Sequence, residues 1–344
     1  MSIRDLARRL DISIGTVSRA LNGKSDVNSE TRKRVLAAAK ALGYAPNQSG
    51  RSLRQGVTNT IGFMIDTDSE MSAHGDTFFM AVFDGVQSVL ARQQLDLVVL
   101  LHNTRDDLFE FTRRVVARGA VDGLIISATR RIDPRIDYLI ERLLPFVALG
   151  RSLSGGGHSW IDLDFEGVAE QSVARLVAQG HRRIAVATSD SDINLGFVFV
   201  DGYQRALQSH GIAVDPSLIL RDRTGEAGGY SIGEALLAMP DRPTAILLVN
   251  EAMAVGIYRR LYEAELSPGR DLAIIGFRHS PQARFLAPAL TCFKITLQDV
   301  GVRLAEALLA AMPAYAPLYP GGVVQQIWPM QLVAGESDNA MRDR

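Results

Sequence analysis

Apolar and polar positions follow two different rhythms along the 344-residue chain, and the change falls near residue 57. Before it, apolar residues recur three and four apart: Ile3, Leu6, Ala7 and Leu10, then Val17 and Leu21, then Val35, Leu36, Ala39 and Leu42. That spacing predicts three short helices, each burying one narrow stripe. Ser13 is placed to cap the second, because its hydroxyl can accept from a free backbone N–H of the first turn. Gly43, with Pro46 beyond it, ends the third. Only "DIS" separates the first two helices, so the expected arrangement is a helix-turn-helix closed by a third helix. Opposite Val17 and Leu21, the second helix presents Gly15, Ser18, Arg19 and Asn22. These small and polar groups form a contact surface rather than a core.

After Pro46 comes the polar, basic stretch "NQSGRSLRQGVTNT", and then the rhythm changes. Apolar runs alternate with amphipathic stretches: "TIGFMI", "LDLVVLL", "VDGLIIS" and "PFVALG", with helices at about 77–92, 107–118 and 133–143 between them. A second series follows: "WIDLD", "RIAVAT", "LIL", "AILLVN" and "DLAIIGF", with helices at about 166–179, 200–210, 228–238 and 251–264. Strands this apolar, separated by helices, predict parallel sheets covered on both faces. The fold class expected is therefore an all-α headpiece followed by an α/β domain of two doubly wound lobes. The expected divisions are a headpiece at 1–46, a linker at 47–57, a two-lobed domain at 58–335 and a tail at 336–344. Lobe 1 takes about 58–159 and 290–320, and lobe 2 about 160–289 and 321–335, with the glycines of "RSLSGGGHSW" as the border. The end of the chain predicts a strand, a helix and a final strand that crosses back between the lobes.

Composition narrows the partners. Residues 1–56 hold eleven Lys and Arg against four acids, a net +7; with −1 for the whole chain, the remainder carries −8. A basic head on an acidic body suits a polyanion-binding module joined to something that should not bind polyanions. A solvated helical bundle with chance excess charge is the plainer alternative on charge alone. No apolar run reaches the ~18 residues of a membrane span, and "MSIRDLARRL" lacks the apolar core of a signal peptide, so no membrane partner is expected. One cysteine, Cys292, cannot form an internal disulfide, which together points to the cytoplasm. Nucleotide-enzyme and metalloprotease motifs of the G-x-x-x-x-G-K-[ST], G-x-G-x-x-G and H-E-x-x-H types are missing. "GGGH" does not join a strand to a helix and reads as a loop. The expectation is a binding protein without cofactor, metal or catalytic residues, rather than a nucleotide-using enzyme or an exported solute-binding protein.

The segments "TVSRALNG", "TRKRVLAAAKALGY" and "RSLR", with "LVAQGHRRIAVAT", "DGYQRAL", "VNEAMAVGIYRRL" and "DLAIIGF" in the body, resemble the LacI/GalR family of transcription regulators over about 1–335. "HSWIDLD" and "RIDPRIDYLIER" are most similar to the branch regulating raffinose and other α-glycoside use. The resemblance implies a repressor of carbohydrate-use genes with a periplasmic-binding-protein-like effector domain. It binds a palindromic double-stranded DNA operator as a homodimer and is switched by a small sugar-like effector. The chain lacks the terminal leucine heptad that makes tetramers in the family, hence the expected dimer. By the resemblance, Ile14, Gly15 and Arg19 stand where the family reads bases, and Thr16, Ser18, Asn22 and Thr31 where it holds phosphates. Asn47 joins this DNA-binding set. The chemistry agrees, since an arginine can grip guanine O6 and N7 with two hydrogen bonds and an isoleucine can lie on a thymine methyl. Gly15 departs from the pattern because it has no side chain to read with. By the resemblance, Leu53 stands at the family's minor-groove wedge; on sequence alone a core leucine is the preferred reading.

The resemblance places the effector in the crevice at the strand ends, where doubly wound sheets bind ligands. Asp76, Phe78, Asn250 and Arg278 are the expected contacts. Asp76 could instead cap the helix starting at 77. Arg278 stands where the family usually has Asp, and Phe199 where it usually has Arg. Arg278 could pair with Asp201 or Glu251, or it could meet an anionic effector such as a sugar acid or sugar phosphate.

Overall fold

The computed structural model describes residues 2–21, 23–44, 57–66, 77–102 and 107–339. It divides into two compact units, 1–58 and 59–344.

The head contains the three expected helices, α1 (Ile3–Leu10), α2 (Ile14–Leu21) and α3 (Ser29–Ala41). Ser2 and Asp5 close a reciprocal capping box at the start of α1, which satisfies two orphan donors at once. Ser13 Oγ accepts the Thr16 N–H at 3.0 Å, and Asn28 caps α3 by accepting from Glu30. Leu6, Val17 and Val35 are fully buried where the three helices meet. Leu36 corrects the expectation: it is 48% exposed. Val35, Ala39 and Leu42 already complete the inward stripe of α3, and Leu36 lies one residue, about 100° of helix, away from it.

In the body, five strands come first: β1 (Thr60–Asp66), β2 (Asp96–His102), β3 (Gly123–Ile126), β4 (Phe146–Leu149) and β5 (Ser159–Leu163). There follow β6 (Ile184–Ser189), β7 (Ile219–Asp222), β8 (Ala245–Leu248), β9 (Ala273–Arg278), β10 (Thr291–Lys294), β11 (Gln325–Trp328) and β12 (Gln331–Val333). They form two six-stranded sheets, ordered β11-β5-β4-β3-β1-β2 and β12-β10-β9-β8-β6-β7. Pairing is parallel except between β10 and β12. Fully buried Ile, Val, Leu and Ala line β3, β4, β6 and β8, as strands covered on both faces must be.

Three lobe assignments are corrected. β5 extends the first sheet beside β4, and β10 pairs with β9 in the second. The end of the chain holds two short strands, with β11 beside β5 in the first sheet and β12 in the second. The chain therefore passes between lobes after β5, after β10 and after β11. The glycine-rich segment before β5 is a connection within lobe 1, not a lobe border. The helix Asn194–Ser209 also starts earlier than expected. Most residues of its first turns are buried, so this end lacks the polar face by which an amphipathic helix is recognised.

The expected tail is part of lobe 2 up to residue 339. Ser337 and Asp338 are buried, Ser337 Oγ donates to the Ile274 carbonyl at 2.6 Å, and Asp338 pairs with Arg175 and accepts from Thr291 Oγ1. In lobe 1, the helices Thr77–Leu90 and Leu297–Ala311 approach backbone to backbone. A Cβ on Gly85 would fall 2.0 Å from the Gln298 carbonyl oxygen, and one on Gly301 2.1 Å from that of Val82. Glycine is obligatory at both positions.

Candidate DNA-reading face and effector cleft

On α2 the predicted contact face is open to solvent. Ile14 is 45% exposed and the Arg19 side chain 54%, while Val17 and Ala20 are buried beneath them. Ser13 and Thr16 hydroxyls lie 2.9 Å apart at the helix start, so they present polar oxygens at its N-terminal end. Gly15 lies on the same face, and a Cβ there would meet Arg19 Nη2 at 3.8 Å. Arg19 thus leans back over the bare backbone of Gly15, as long helical side chains lean toward the N-terminus. Ser18 and Thr31 are half-buried. Asn22, Asn47 and Leu53 lie outside the described residues, as does Asp76.

In the body, a cavity of about 420 Å³ opens at the C-terminal strand ends of both sheets, within the range of small-molecule sites. Three of the predicted contacts line it: Phe78, Asn250 and Arg278. Asn250 Oδ1 accepts the Ala252 N–H at 2.9 Å, so its oxygen also starts the helix Ala252–Glu263. Arg278 is 6% exposed. Its Nη2 lies 2.9 Å from Glu251 Oε1, and the same carboxylate accepts the Arg278 backbone N–H at 3.2 Å. The guanidinium also stands 5.6 Å from the centre of the Phe78 ring, a cation–π distance. Of the two candidate partners, Glu251 is the one present. Asp201 lies instead by Arg131, at 4.0 Å. Phe199 is buried and meets Phe277 edge-on at 6.2 Å, filling space rather than lining the cavity.

Further lining residues escaped the sequence reading. Arg151 lies 2.9 Å from Asp162 and also pairs with Glu166. Burial raises the Asp162 carboxyl to about 6, against the lowering pull of Arg151. Phe165 and Phe277 stack with centroids 4.5 Å apart and planes 9° from parallel, giving the cleft an aromatic wall. Arg151 directly follows "FVALG" at the end of β4, so the strand-end rule that picked Arg278 points to it equally. Asp162 was hidden by the assignment of β5 to the other lobe. Cys292, fully buried, has its thiol pushed up to about 12 by desolvation, so it stays protonated. Among the described residues, no group of His, Cys, Asp and Glu could hold a metal ion, and no helix is long and apolar enough to cross a membrane.

Residues 2–47 match the family model of bacterial regulatory proteins of the lacI family, and 173–337 that of the periplasmic binding protein-like domain. The chain is 30% identical over 350 residues to the HTH-type transcriptional regulator AglR of Rhizobium meliloti, covering 100% of this chain and 96% of that one. The structure of the transcriptional regulator CelR in complex with cellobiose is 26% identical, with a TM-score of 0.72, covering 98% of this chain and 99% of that one. The lac repressor dimer bound to operator and the anti-inducer ONPF superposes with a TM-score of 0.84 at 23% identity, over 99% of each chain. An exposed polar helix in a basic three-helix head, ahead of a two-lobed body with a cleft, accords with these likenesses. The chain belongs to the LacI family of bacterial regulatory proteins and is a DNA-binding transcription regulator, not an enzyme.

Proposed function

We propose that this regulator is a repressor of carbohydrate-use genes that binds a palindromic operator as a homodimer and is switched by a neutral sugar in the cleft. The observation that carries the choice of ligand is the Arg278–Glu251 pair. An arginine with only donors and a permanent charge would call for an anion if it stood alone in the cleft. Here the charge is already balanced by a buried carboxylate at 2.9 Å. A sugar acid or phosphate would have to displace Glu251 or share Arg278 with it, and bringing a second anion next to a buried carboxylate costs Coulomb energy at low dielectric. A neutral sugar meets no such penalty. Its hydroxyls find donors and acceptors in Asn250, Ser189 and Asp190, and its C–H faces find Phe78 and the Phe165–Phe277 wall. A sugar is also what the related CelR holds, as cellobiose.

On DNA, α2 enters the major groove with Ile14, Gly15 and Arg19 over base edges. Thr16, Ser18, Asn22, Thr31 and Asn47 meet the backbone, and Leu53 wedges the minor groove. Two half-sites need two heads, and lobe 1 offers an apolar sheet edge for a second copy. Val98, Val99 and Leu101 on the edge strand β2 are 42%, 38% and 61% exposed, and Met80 on the neighbouring helix 68%.

Thermal unfolding with a panel of neutral mono- and disaccharides, sugar acids and sugar phosphates tests the ligand. At least one neutral sugar is expected to raise the Tm of the wild type, and Arg278→Gln to bind it more weakly while staying folded. Stabilisation by anionic ligands alone, lost in a folded Arg278→Gln, overturns the reading.

A further inference from the structure

Asp26 sits in the turn after α2, outside every set of residues discussed so far. Its carboxylate Oδ2 lies 3.6 Å from Arg19 Nε, with the two side chains 61% and 54% exposed. On its other side, the Arg19 guanidinium lies along the bare backbone of Gly15, 3.8 Å from where a Cβ would stand. The arginine is thus bracketed, with a carboxylate beside Nε and a glycine at the N-terminal end of the helix, which is the end that meets base edges in this motif. We propose that Asp26 is a specificity-determining positioning residue. It holds Arg19 by Nε, so that the two terminal nitrogens face outward to grip guanine. This rests on the reading of Arg19 as a base contact.

Three physical points support the assignment. An unrestrained arginine loses much rotamer freedom when it is fixed on a base, and a side chain already held in its bound geometry loses less. A guanidinium gripped at Nε keeps its end-on pair of nitrogens for the two acceptors of guanine in the major groove. Finally, Asp26 is an acid in a head with a net charge of +7 over 1–56. On a surface meant for phosphates a carboxylate works against general DNA affinity. Its cost falls on every sequence alike, whereas its benefit falls only where Arg19 finds guanine. This is how a residue trades affinity for discrimination.

The test measures binding of the full-length protein to an operator selected from random duplexes, to versions changed at each base pair, and to random DNA, for wild type, Asp26→Asn, Asp26→Glu and Arg19→Ala. Asp26→Asn is expected to reduce discrimination at the base pair read by Arg19 by roughly two- to fivefold, the size of an exposed charge pair. It should also bind random DNA somewhat more tightly, and Asp26→Glu should recover most of the discrimination. In an Arg19→Ala background, Asp26→Asn should leave discrimination unchanged. If Arg19→Ala abolishes discrimination at one base pair but Asp26→Asn does not lower it, Asp26 has no positioning role and this inference falls alone. If Arg19→Ala weakens all sequences equally, Arg19 is a phosphate contact and the reading beneath the inference falls with it. A matching melting temperature for Asp26→Asn and wild type excludes misfolding as the cause.

Discussion

Arg19 in the head and Arg278 in the cleft are the same side chain put to opposite uses, and among the described residues each is paired with a carboxylate. Arg19 is more than half exposed, as is its partner, which stands 3.6 Å away at the surface. Arg278 is almost wholly buried, with a partner at 2.9 Å that also takes its backbone N–H. In water a pair like the first contributes little, so its charge remains available to a stronger anion. In the protein interior each partner of the second depends on the other, because an unpaired buried charge is costly. Net charge alone does not decide which single arginine can meet a polyanion. Its solvation does.

Breaking the cleft pair should therefore have the largest effect. Glu251→Gln breaks the buried Arg278–Glu251 pair by removing one of its charges and is expected to cost about 3–5 kcal/mol of stability. Urea unfolding measures this, and Glu251→Gln with Arg278→Gln together should recover a large part. A loss below about 1 kcal/mol, the size of a surface pair, would erase the contrast between the two arginines.

The second cleft pair can be tested by pH. The Asp162 carboxyl is raised to about 6 in the folded protein, chiefly by burial, from an ordinary value of 3.8. A raised acid binds its proton more tightly when folded, so its contribution to stability is greatest below about 4. That contribution falls as pH rises through the window to about 6. Across that window the stability of the wild type relative to Asp162→Asn should fall by on the order of 3 kcal/mol. A constant difference between the two proteins from pH 4 to 7 would contradict it.

In the head, Arg19→Ala should remove about 1–3 kcal/mol of discrimination at one base pair per half-site, while leaving the melting temperature nearly unchanged. The smallest effect concerns Gly15. A Cβ there meets only ordinary contacts, at 3.7 and 3.8 Å, so Gly15→Ala should stabilise the head by about 0.5–1 kcal/mol. A decrease on thermal unfolding would mean that the space beside Arg19 is tighter than it looks.

Much of this molecule was legible one segment at a time. The i, i+3, i+4 spacing of Leu6, Val17 and Val35 with their neighbours predicts the three helices that the head contains. "RIAVAT" and "AILLVN" read directly as buried strands. The polar face of α2 was legible because a helix places residues on faces by a fixed angle, whatever surrounds it. Lobe membership was not. β5 is as apolar as a strand of either sheet, and nothing in "WIDLD" says which edge it extends. Arg151 and Asp162 stayed hidden for that reason, although Arg151 sits where the strand-end rule looks.

By itself, then, the sequence determined the elements, the basic head and the two-lobed plan, since these follow from periodicity and charge carried by neighbouring residues. Only the tertiary structure decided that Glu251 rather than Asp201 neutralises Arg278, that Phe199 fills the core against Phe277, and that residues 336–339 are anchored in lobe 2. Each of these is a choice among partners far apart in the chain. Such choices depend on which groups packing brings together and removes from water, and that is a property of the folded whole.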